Sequence, residues 1–387
     1  SRPSGSLWRP PEKATGVGNS APVAPDASNG SSGRTGSPEA SEIRGSVVRL
    51  ARTLAGSKFL QRQLVRGTVA AVDTILSEIE EDVAQLMCDS YGNYLCSAAF
   101  QACSVWQRQR MLERLAPNVP SIACDKRGTH ALQVLIGLLC TSEEHEQLIR
   151  AVKDHVIPLC MDAHGTHVIQ RLLFCLPPSQ TDWIYRPVMK SLVEMAHHPS
   201  GLCVLKKCIA QSATMERHQD ALLMKLAEHS LDLVQSPYGN YAVQHAIEEW
   251  GGEKCAPIVR SLEGRIMQLS IQKFSSNVVE KLLRSAPLEL RRCVVDELIE
   301  SDKMSVLVNS NYGHFVVKQA LQIADEAQVR LLLKAIRSST TQLANRRLKG
   351  TWEKVMNIGS ERLGERTLQC NHRSSLDGQE RGPNIKI

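Results

Sequence analysis

The chain has 387 residues, 42% of them hydrophobic, and a formal net charge of +6. That length can bury a large core as one extended domain or two compact ones, while no apolar run approaches the roughly 18 residues a membrane-crossing helix needs. Residues 1–44 contribute +1 and residues 346–387 contribute +4. The middle is left nearly neutral, so bulk charge alone makes no case for a polyanionic partner. Twelve scattered cysteines include no C-x-x-C pair and many sit in apolar helical runs; the expectation is free buried thiols in a reducing compartment, with neither disulfides nor a zinc site.

Residues 1–44 are rich in Ser, Gly, Pro and Ala. They begin "SRPSGSLWRPPEK", without a signal-peptide apolar segment, and are expected to form a disordered tail. From residue 45 to 345 the sequence repeats. The stretches "GSKFLQ" (56), "GNYLCS" (92), "GTHALQ" (128), "GTHVIQ" (165), "GLCVLK" (201), "GNYAVQ" (239), "SSNVVE" (275) and "GHFVVK" (313) recur at spacings of 36, 36, 37, 36, 38, 36 and 38 residues. A period in this range marks a solenoid of stacked units.

Take as position zero the residue after the Gly, or after Ser275, which holds the Gly place in the seventh unit. Positions +2, +3, +6 and +7 are then apolar nearly everywhere. They are Val168, Ile169, Leu172 and Leu173 in the fourth unit and Val278, Val279, Leu282 and Leu283 in the seventh; Gln63 in the first is an exception. At 100° per residue these form one stripe, the buried face of a helix. Positions 0, +1 and +4 then share the opposite side. Ser, Thr and Asn at position zero are also good N-caps, which would explain them without any ligand. Further amphipathic runs, such as residues 72–87 and 218–234, complete each unit as a helical hairpin, and strand-like alternation is absent. Residues 346–387 are polar and unpatterned, and are expected to form a second disordered tail with at most a short helix.

Position zero is Ser57, Asn93, Thr129, Thr166, Leu202, Asn240, Ser276 and His314. Position +1 is Lys58, Tyr94, His130, His167, Cys203, Tyr241, Asn277 and Phe315, and position +4 is Gln61, Ser97, Gln133, Gln170, Lys206, Gln244, Glu280 and Lys318. Flat groups beside amides at a fixed pitch suit the bases of single-stranded nucleic acid. Stacked bases rise ~3.4 Å, whereas packed helices lie roughly 8–10 Å apart. A planar side chain inserted between successive bases stretches the nucleotide pitch toward that of the helices. Glu280, an acceptor-only carboxylate, can take both donors of a guanine edge. Asn240 with Gln244 suits uracil, and Gln with a small hydroxyl residue suits adenine.

On these residues, above all "YGNYAVQH" (238–245) and "FSSNVVEKLL" (274–283), the chain resembles the Pumilio family over about residues 45–345. The resemblance implies an all-α, crescent-shaped α-solenoid of eight repeats. It also implies binding of single-stranded RNA on the concave face, antiparallel to the chain, and control of translation or stability through mRNA 3′ untranslated regions. Recruited deadenylases or translational repressors on the convex face, a monomeric state and a cytoplasmic location go with it. By the family's code the target, 5′ to 3′, is N-G-U-N-A-A-N-A. Ser97, the Leu202/Cys203/Lys206 set and the His314/Phe315/Lys318 set depart from the family pattern and blur the second, fifth and eighth readings. The alternatives are a nucleolar relative binding ribosomal RNA with relaxed specificity, and a protein-binding scaffold of the HEAT or armadillo type. Lys126, Arg127 and Lys207 are candidate phosphate contacts or plain solvated surface. Trp106, Trp183 and Trp250 are expected to pack between units. No Ser/His/Asp set, metal cluster or phosphate-binding Gly loop points to an enzyme or a cofactor.

Overall fold

The computed structural model describes residues 43–341 and 343–364. Of the expected tails, 1–44 and 346–387, the parts 1–42 and 365–387 lie outside the described residues. All described regular elements are helices, and one apolar core runs without a break from Ile43 to Val355. The protein is an α-solenoid.

Each unit holds three helices, not the expected hairpin. In the second they are Val83–Cys88, Gly92–Ala102 and Val105–Leu115. The 72–87 run is broken between Val69–Ile79 and Val83–Cys88. The 218–234 run is broken at His229, whose N–H turns back to the carbonyls of Lys225 and Ala227. The apolar period continues across both breaks, so periodicity alone carries no sign of them.

The middle helices are Leu54–Arg66, Gly92–Ala102, Gly128–Leu138, Gly165–Cys175, Pro199–Ser212, Gly239–Trp250, Ser275–Ser285 and Gly313–Ile323. Each packs on the next, forming one continuous row. The predicted stripe drives this: Val168, Ile169, Leu172, Leu173, Val278, Val279, Leu282 and Leu283 are all fully buried.

Position zero is not the cap. It lies inside the helix, and the capping side chain sits four residues earlier. Asp89 Oδ1 accepts from the N–H groups of Tyr91 and Gly92 at 2.8 and 2.9 Å. Asp125 and Asp162 repeat this in the next two units, and Ser236 and Ser310 do so with a hydroxyl. Burial works against the three carboxylates, but the donated N–H groups hold them below their ordinary range. The glycine that follows is demanded by close approach: a Cβ on Gly239 would lie 2.8 Å from the Leu233 carbonyl oxygen. In the seventh unit Ser275 takes that place and turns the contact into a 2.7 Å hydrogen bond to the equivalent carbonyl, that of Leu269.

The expected tail boundary at 346 is corrected. Residues Arg346–Arg362 form a 17-residue helix capped by Asn345, packed on the eighth middle helix. Trp352 is fully buried and donates its Nε1–H to Val308 O at 2.8 Å. Arg362 Nη1 reaches the carbonyls of Leu321 and Ala324, both at 2.7 Å. The helix closes the open end of the row, which would otherwise leave apolar surface and helix-end carbonyls in water. At the other end the core already includes Ile43.

The tryptophans divide. Trp250 packs between units, with Nε1–H donated to Ile209 O at 3.1 Å, and Trp183 is half-buried against the core. Trp106, by contrast, is 61% exposed and lies beneath the Arg110 guanidinium. The thiols divide as well. Cys96, Cys103, Cys160, Cys208 and Cys255 are buried, whereas Cys124, Cys140, Cys203 and Cys293 are exposed, all of them unbridged.

Candidate nucleic-acid interface

The middle helices set the ladder side chains at three depths. Position +1 is solvent-exposed in all eight units, including 62% for Tyr94, 54% for Tyr241 and 51% for Phe315. Position +4 is half-buried in the first seven units, and Lys318 is exposed. Position zero is buried in the first seven, while His314 is half-buried. The expectation that all three share one open side therefore holds for +1 and only partly for +4. Position zero lies in the seam between neighbouring middle helices.

That seam is hydrogen-bonded. Ser57 Oγ donates to Tyr91 O at 2.8 Å, Thr129 Oγ1 to His164 O at 3.2 Å and Thr166 Oγ1 to Ser200 O at 3.2 Å. In each case the acceptor belongs to the next unit. With its one hydrogen committed, each hydroxyl accepts from the amide one turn on: Gln61, Gln133 and Gln170 donate Nε2–H at 3.0, 3.2 and 3.2 Å. These Ser and Thr residues tie units together and orient the glutamine. They present no free hydrogen to a base.

Asn93 gives its Nδ2 to the carbonyls of Asp89 and Ser90, and Ser97 turns its hydroxyl back to Asn93 O. The second unit thus offers Tyr94 as a platform with little edge-reading capacity. The fifth offers neither. Leu202 is buried, Cys203 donates its thiol to Pro199 O, and Lys206 carries a charge in place of an amide. In the seventh, Ser276 is buried, Asn277 is exposed and folds its Nδ2 onto Lys273 O and Phe274 O, and Glu280 accepts from Arg284. In the eighth, the His314 and Phe315 rings lie 4.0 Å apart between centroids, and burial lowers the pKa of His314. Burial first, then the neighbouring His164 and His130, also hold His167 below the ordinary imidazole range. A neutral flat ring is therefore what it presents near pH 7.

A second row escaped sequence reasoning. One residue past position +4 stand Arg62, Arg171, Lys207, His245 and Lys281 in the first, fourth, fifth, sixth and seventh units. Of these the sequence reading singles out only Lys207; the signal that could have found the row is a basic residue beside position +4 in four successive units. Lys281 pairs with Glu248 of the sixth unit. Lys126 and Arg127 are exposed at the entry to the third middle helix.

Stacked three-helix units whose middle helices line up in one row and each expose a side chain at position +1 define a class: an all-helical repeat protein. Seven stretches, 46–80, 82–116, 118–152, 155–186, 191–226, 229–262 and 265–299, match the model of the Pumilio-family RNA binding repeat. The chain belongs to the Pumilio family, and these units form a Pumilio RNA-binding domain. It is 33% identical over 303 residues to putative pumilio homolog 8, chloroplastic, of Arabidopsis thaliana, covering 78% of this chain and 58% of that protein. To Arabidopsis pumilio homolog 12 it is 31% identical, covering 78% and 51%. The chain thus spans little more than half the length of these relatives. Among solved structures, the Puf4 RNA-binding domain bound to the HO endonuclease RNA 3′ UTR recognition sequence superposes with a TM-score of 0.72 at 29% identity, covering 80% of this chain and 97% of that one.

Proposed function

We propose that this domain binds single-stranded RNA one base per repeat, with the +1 side chains standing between successive bases and the +4 side chains meeting their edges. The carrying observation is the exposure of position +1 in all eight units, above a +4 that is half-buried in the first seven. An RNA running antiparallel to the chain places its 5′ base at the eighth unit, and the pattern is N-G-U-N-A-A-N-A. The solved Puf4 complex with a 3′ UTR sequence supports messenger RNA as the ligand class. Repression of translation or promotion of decay, deadenylase or repressor partners on the convex face, a monomeric state and a cytoplasmic site of action belong to this reading.

Selection from a random RNA pool with the purified protein tests it. Enrichment of G-U at the second and third positions, followed by A-A at the fifth and sixth, is expected. A pool that stays random at the G-U step overturns the pattern. The poor edge readers of the second and fifth units favour, as a second reading, a relaxed-specificity binder of ribosomal RNA in the nucleolus; enrichment confined to isolated positions selects it.

A further inference from the structure

Phe174, at the C-terminal end of the fourth middle helix, is 67% exposed, while its helix neighbours Leu172 and Leu173 are buried. Two cations flank its ring: Arg171 Cζ lies 5.7 Å from the centroid and Lys207 Nζ, from the fifth unit, 5.6 Å. Neither cation has a carboxylate within salt-bridge distance among the described residues. The third unit makes room for this arrangement. Gly137 lies beneath the Arg171 guanidinium, and a Cβ there would stand 2.1 Å from Nη2. Arg171 Nε is shielded from solvent and makes no hydrogen bond, so the guanidinium is held by packing and its outer edge is uncommitted.

An exposed aromatic ring with two cations over it, each free to swing onto a phosphate as a base takes the ring face, suits a flat group carrying a phosphate: a nucleotide. The adjoining unit supplies a reason for one to come here. The fifth unit has a buried Leu202, a non-planar Cys203 and Lys206, so the base opposite it gains no ring and no amide edge reader from that unit and is left with a stacking partner on one face only, from a neighbouring unit. We propose that Phe174, Arg171 and Lys207 form an accessory nucleotide platform that takes this fourth base of the RNA. The base stacks on the Phe174 ring, and its phosphate lies against the two cations. The site rests on the one-base-per-repeat reading and adds a binding surface outside the 0, +1 and +4 ladder.

The test is a cycle on the full chain with two RNAs of the pattern N-G-U-N-A-A-N-A, one with adenine at the fourth position and one with an abasic residue there. Phe174→Ala, which removes an exposed side chain, is expected to weaken binding of the adenine RNA by about 10-fold, within the range for one base–aromatic stack. That loss should vanish on the abasic RNA. Arg171→Gln with Lys207→Gln should lower the salt dependence by roughly 0.7 for each phosphate that the two cations neutralise. Equal losses by Phe174→Ala on both RNAs, or none on either, overturn the platform. Tyr241→Ala serves as the separate control. If the wild-type protein binds the adenine RNA and Tyr241→Ala weakens it, the ladder stands whatever Phe174 does. If the wild-type protein does not bind, the ladder and the platform fall together.

Discussion

Gln244 donates its Nε2–H to Asn240 Oδ1 at 2.8 Å, while Asn240 gives its own Nδ2–H to the carbonyl of Ser236 at 2.7 Å. The carbonyl can only accept, so Asn240 must turn its NH₂ toward it and its oxygen toward Gln244. That fixes both amides, whose orientation the sequence left open. Gln244 is left with one acceptor and one donor facing out. The hydroxyl relays from Ser57, Thr129 and Thr166 settle their glutamines in the same way.

Glu280 has no such ambiguity, because both oxygens accept. Arg284 Nη2 occupies one of them at 2.7 Å, a partly exposed pair of the kind worth little, which leaves acceptor capacity for two guanine donors. Glu280→Gln is expected to relax the preference for guanine at the second RNA position by about 1–3 kcal/mol, on the scale of a mismatched base pair in DNA. Competition between RNAs differing only at that base measures it, and unchanged discrimination would remove Glu280 from the edge-reading role.

Tyr241 is 54% exposed, so its removal leaves the core intact. Tyr241→Ala should weaken RNA binding by roughly 1–3 kcal/mol with the melting temperature and the selected sequence unchanged. A shift in the consensus would show that the ring reads base identity and does not act as a spacer.

Arg108 Nε meets Glu144 Oε1 at 2.9 Å, with side chains 10% and 0% exposed, joining the outer helices of the second and third units. Burial opposes the Glu144 carboxylate. The Cys140 N–H, the Arg108 guanidinium and the Thr141 N–H more than offset this and hold its pKa below the ordinary value. The folded pKa is depressed, so the stabilisation is present above the unfolded value near 4.5 and is lost as pH falls through the lower folded value. Glu144→Leu leaves Arg108 buried and unpaired. It should cost about 3–5 kcal/mol and flatten that acid limb in thermal melts across pH; a variant as stable as the parent at neutral pH contradicts this.

Trp352 is fully buried with its indole N–H bonded to Val308. Trp352→Ala is expected to cost about 3–5 kcal/mol locally. In a repeat array this appears first at the nearest unit. Hydrogen exchange should therefore speed up in Gly313–Ile323 while the helix Gly128–Leu138 is unaffected. Uniform acceleration, or none, speaks against an end-capping role.

The repeat count, the helix carrying the ladder and its buried stripe were all determined by the sequence, because a 36–38-residue period and a 3.6-residue pattern are local properties of the chain. The capping Asp and Ser residues were equally visible at their fixed offset, but local propensity could not tell them from position zero. Tertiary structure alone decided the rest. Whether Thr129 faces a ligand or the next unit depends on where His164 O lies, 35 residues away. The amide orientations depend on which carbonyl each side chain meets. The docking of Arg346–Arg362 depends on an exposed end that only a stacked array creates. Phe174 becomes a platform because Arg171 and the next unit's Lys207 converge on it in space.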